Sequence, residues 1–71
     1  MSNITHLGII AGGRSLLSTV VFDNRNDRAE RASWSEAGKL LRDWRAVRSE
    51  QQLEIVPLSR RSYNGWEAAG R

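Results

Sequence analysis

A small α+β domain is the fold this chain predicts: a two-layer β-β-α-β unit, its antiparallel sheet covered on one face by one helix. Three observations predict it. Residues 4–10 and 16–23 are short runs rich in Ile, Leu, Val, Thr and Phe that flank Ala11-Gly12-Gly13-Arg14-Ser15, the pattern of a strand, a tight turn and a second strand. Trp34, Ala37, Leu40, Leu41, Trp44 and Val47 recur at spacings of three and four, the period of a helix with one apolar stripe. Leu53-Glu54-Ile55-Val56 then resumes strand composition, with Pro57 placing that strand at a sheet edge or ending it because proline cannot donate to a ladder.

Between the hairpin and the helix, residues 23–31 mix both signs of charge without apolar periodicity and read as a solvated loop. Ser33-Trp34-Ser35-Glu36 has the spacing of a capping box, which predicts a helix starting there and running to about residue 49. Gly38 falls inside that helix. A mid-helix glycine costs up to ~1 kcal/mol against alanine, so a close approach of the helix to the sheet is the expected reason for it. Asn64-Gly65 favours a tight turn, and residues 66–69 are expected to add a short strand or a helical turn. The uncovered sheet face is expected to be wet or to meet a partner.

The chain has 71 residues, no cysteine, 39% hydrophobic residues and a net charge of +3. A chain of this length buries only about 60% of the surface it exposes when unfolded, enough for one thin core and too little to wall off a deep cleft. One domain spanning residues 1–71 follows, without disulfide or thiolate metal site. A second copy is one way for so small a domain to gain burial. Neither a secretory signal nor a membrane span is legible, because the longest apolar stretch is broken by glycines, and a cytoplasmic location with no membrane partner is expected.

Candidate chemistry is sparse, and no cofactor is expected. Residues 8–15 match the spacing of a phosphate-binding P-loop with Arg14 in the lysine position, but the following residues are β-branched and cannot open the helix that such a loop requires. A glycine hairpin turn is the expected structure there. His6 is the only histidine, so neither a nucleophilic triad nor a His-rich zinc site is expected. Asp23, Asp27 and Glu30 imitate the start of a calcium loop, yet Arg28 stands where its glycine belongs and Trp34 where its bidentate Glu belongs. No enzyme and no metal site are therefore expected.

Ten of the eleven cations are arginine, whose planar fork suits carboxylates and phosphates. Arg42, Arg45 and Arg48 recur every three residues beside the apolar stripe, a band able to follow a phosphate backbone or an acidic protein surface. Arg60, Arg61, Tyr63 and Trp66 form a second set, combining the residue types enriched in interface hot spots and base-stacking platforms.

In length and in strand and helix order, the chain resembles the small inhibitors encoded by phages and other mobile elements, anti-CRISPR proteins among them. The resemblance implies a stoichiometric, non-enzymatic inhibitor that docks on a host protein or ribonucleoprotein and occludes it. The residues best suited to such contacts are Arg42, Arg45, Arg48, Arg60, Arg61, Tyr63 and Trp66. The alternative is a small arginine-rich regulatory protein that binds nucleic acid directly, with the same arginines on phosphates.

Overall fold

A computed structural model describes the backbone of residues 4–69 and the side chains up to residue 66. Its elements are β1 (Ile4–Ala11), β2 (Ser15–Val21), α1 (Asp27–Val47), β3 (Leu53–Ser59) and α2 (Arg60–Ala69). The three strands form one antiparallel sheet in the order β2-β1-β3, so the predicted β-β-α-β order is present with a second helix appended.

The hairpin turns as its glycines predict. Gly12 and Gly13 both have positive φ, 59° and 70°, the condition a type I′ turn imposes and glycine meets without strain. The Arg14 N–H donates to the Ala11 carbonyl, and the Gly12 N–H donates to Gln52 ahead of β3. The P-loop spacing is thus housed in a strand, turn and strand with no helix behind the glycines.

One face of the sheet carries the core. Leu7, Ile9 and Val20 pack with Ala37 of α1, and Leu17, Phe22, Leu40, Leu41, Trp44 and Ile55 surround them. A register shift opposite Ile9/Ile10 leaves Leu17 without a direct partner on β1. Such a bulge re-aims its side chain, and Leu17 joins the core under the helix. The Trp44 indole N–H donates to the Ser18 hydroxyl at 3.1 Å, which lets the ring enter the core without an orphaned donor.

Helix α1 begins six residues before the predicted capping box. Asn26 is its N-cap, with Oδ1 accepting the Ala29 N–H at 2.8 Å, and Asp27 and Glu30 in the first turn oppose the positive helix end. Ser33 lies within the helix and is buried. Its hydroxyl donates to the Ala29 carbonyl and accepts the Asp23 N–H, each at 3.0 Å, so it ties the helix to the strand exit. The helix closes at Arg48, whose N–H donates to the Trp44 carbonyl.

The packing role expected of Gly38 is overturned, since a Cβ built there meets no atom within 4 Å. Close approach occurs at Gly8 on the other face of β1, where a Cβ would come within 2.9 Å of the Leu16 and Leu58 methyl tips. Those two side chains close over the glycine, and Ile10 and Leu58 on this face are nearly completely buried. This face is neither fully wet nor open. Residues 60–69 form α2, with Asn64-Gly65 inside the helix where a tight turn was expected, and α2 packs back on β3 and β1. Tyr63 there stacks on the His6 ring, centroids 4.0 Å apart and planes 9° from parallel.

Candidate functional site

Alpha-helical geometry sorts the charges of α1. At 100° per residue, Arg28, Arg31, Lys39, Arg42 and Arg45 fall within an arc of roughly 120° on the side away from Ala37, and all five are exposed. The row runs about 26 Å along the axis at 1.5 Å per residue. Glu36 and Asp43 fall outside the arc, Glu30 faces the core side, and Asp27 shares the arc at the first residue of the helix. Among the described residues the one salt bridge is Arg25 to Asp23, at 2.7 Å. None of the five helix cations is neutralised by an ion pair of its own, and their field points outward.

The residues read from the sequence as one contact set occupy two separate places. Arg42 and Arg45 belong to the α1 row. Arg48 is the C-cap; its guanidinium donates to the Gln51 side chain at 2.9 Å and sits 5.6 Å from the Trp44 ring centroid, so it finishes the helix end. Arg60 and Arg61 start α2, where Ser59 pairs with Ile4 at the far end of the strands from Leu53 and Ala11. Tyr63 is engaged with His6, and Trp66 is half-buried. The tail cations therefore lie at the opposite end of the sheet from Arg45, and on the helix that packs on its other face.

Sequence reasoning left out Arg28 and Arg31, because the segment before Ser33 read as a loop whose charges cancel, and passed over Lys39, which lies inside the predicted helix three residues before Arg42. A signal was present: Asn26 followed by Asp27-x-x-Glu30 has the residue types and spacing of a helix start. Trp34 also belongs to this surface. It remains 42% exposed while its ring meets Phe22 edge to face at 6.4 Å, so the indole is held beside the cation row.

Elsewhere, Arg60, His6, Asn24 and Val21 border an open depression at the end of the sheet. The His6 Nδ1 is 2.8 Å from the Thr5 hydroxyl. Asp23 accepts from Arg25 through both carboxylate oxygens, at 3.0 and 2.9 Å. That side-chain bond, with a further one from the Arg25 backbone N–H, holds the Asp23 carboxyl below its ordinary value of 3.8. Among the described residues no three His, Asp or Glu side chains converge as metal ligands would, and no helix is long and apolar enough to cross a membrane.

No protein-family model matches the chain, and neither the curated proteins nor the solved structures compared with it give a significant match. The class established by the fold is a small α+β domain with a three-stranded antiparallel sheet and two helices.

Proposed function

We propose that this chain is a small non-enzymatic binding protein that docks on an anionic surface of a host protein or ribonucleoprotein through the solvent face of α1, and acts by covering it. The observation that carries this reading is the row of Arg28, Arg31, Lys39, Arg42 and Arg45, five exposed cations on one face of a single helix. Like charges held together repel one another, and an anionic partner relieves that repulsion. The chain's size suits the phage-inhibitor reading, and Trp34 beside the row offers an aromatic of the kind found at hot spots.

The test is affinity capture from host lysate with the wild type, with Arg31→Glu/Arg42→Glu/Arg45→Glu, and with Arg60→Glu/Arg61→Glu. Loss of the captured partner in the α1 variant, with retention in the α2 variant, is the expected result. The converse pattern would move the contact to the tail.

A further inference from the structure

Gly38 marks the centre of a symmetric arrangement on α1. Arg31 and Arg45 lie seven residues to either side of it, and Trp34 and Arg42 lie four to either side. At these spacings all four share its face, with the outer pair about 21 Å apart along the axis. The glycine does nothing inside the fold, since a Cβ there would meet open space. What its missing side chain leaves is a half-buried stretch of helix backbone with room above it, set between the guanidinium groups and an indole whose ring Phe22 holds.

We propose that this notch is where a phosphodiester backbone of nucleic acid crosses α1, passing over Gly38 between the arginines. The inference rests on the α1 docking reading and narrows its partner to one chemistry. Four exposed cations around the notch, Arg31, Lys39, Arg42 and Arg45, require an occupant that is negative along its length. The open space above the half-buried Gly38 backbone favours one thin enough to enter between the side chains. A phosphodiester strand is a narrow ridge with a charge at every nucleotide, and guanidinium forks bind its oxygens two at a time. An acidic protein surface carries its charge on side chains that hold its own backbone away. The Trp34 ring, four residues from the notch, is placed to pack on a sugar or an unpaired base.

The experiment is fluorescence anisotropy with a labelled 20-base-pair DNA duplex and a matching RNA duplex, over a range of salt concentrations, alongside thermal melts. Wild type is expected to bind at least one of them, with log K falling by about 3 per log unit of salt, as phosphate contacts from Arg31, Arg42 and Arg45 imply; the tighter one names the source of the phosphates. Gly38→Ala is expected to raise the melting temperature by about 4–8 °C through helix propensity, yet to weaken binding at least tenfold. Gly65→Ala, which also places a Cβ in open space, is expected to raise the melting temperature and leave binding alone. Arg42→Gln/Arg45→Gln is expected to flatten the salt slope by about 2. Wild-type binding to neither duplex, or Gly38→Ala binding within twofold of wild type, overturns the proposal. Charge-dependent capture from lysate can stand in either case, which separates this inference from the reading it rests on.

Discussion

The Ser33 hydroxyl accepts the backbone N–H of Asp23 at 3.0 Å, from the second turn of α1 to the residue that follows Phe22. The same oxygen donates to the Ala29 carbonyl, so one side chain fixes how the helix that bears the cation row leaves the sheet. Ser33→Ala strands a polar group in a part-buried place, and a cost of about 1–2 kcal/mol is expected. Chemical denaturation of the two proteins measures it. A variant as stable as wild type would mean that water replaces the hydroxyl without loss.

The true helix start gives a second prediction. Asn26→Ala removes the bond to the Ala29 N–H and is expected to cost about 1 kcal/mol. Glu36→Ala, which would break the capping box expected at Ser33, is expected to change stability by less than about 0.5 kcal/mol, as exposed positions inside helices do. Equal losses in the two variants would restore the later start.

His6 of β1 and Tyr63 of α2 stack face to face where α2 packs on the sheet. His6→Ala and Tyr63→Ala are each expected to destabilise the domain, and a double-mutant cycle is expected to show a coupling of about 1 kcal/mol. Strict additivity of the two losses would show that the rings stack without holding α2.

Acid should act on one identified pair. The Arg25 guanidinium, then its backbone N–H, holds the Asp23 carboxyl below the ordinary 3.8. A depressed acid contributes stability above its unfolded pKa and loses it as pH falls through the lower folded value. The melting-temperature advantage of wild type over Asp23→Asn is therefore expected to be constant above about pH 5 and to shrink as pH falls below 3.8. The pair is exposed, so added salt should shrink the same advantage at neutral pH. An advantage that persists at low pH would assign it to the neutral hydrogen bonds of the turn.

The hairpin, the apolar stripe of α1 and the third strand were legible because each has a period or turn chemistry that tertiary context did not override. Residues 27–32 were not, because that turn of helix has no apolar stripe of its own and is held by the Asn26 cap and the first-turn acids. Asn64-Gly65 misled for the opposite reason. Its local preference for a turn gave way to the packing of Tyr63 on His6 across the chain. The contact set was half legible: Arg42 and Arg45 stood out by spacing, Lys39 continued that spacing inside the predicted helix but was passed over, and Arg28 and Arg31 joined them once the helix acquired its first turns. What separates them from Arg60 and Arg61 is strand register, with Ser59 beside Ile4 and Leu53 beside Ala11, which no residue pattern within either cluster announces.

Site-specific photocrosslinking in host lysate asks directly whether α1 presents its solvent face to the partner. A photoreactive residue at Ser35, exposed within the cation row, is compared with one at Asn64, exposed on α2. A discrete crosslinked product from position 35 and none from position 64 is expected; a product from 64 with none from 35 would rule out docking through α1.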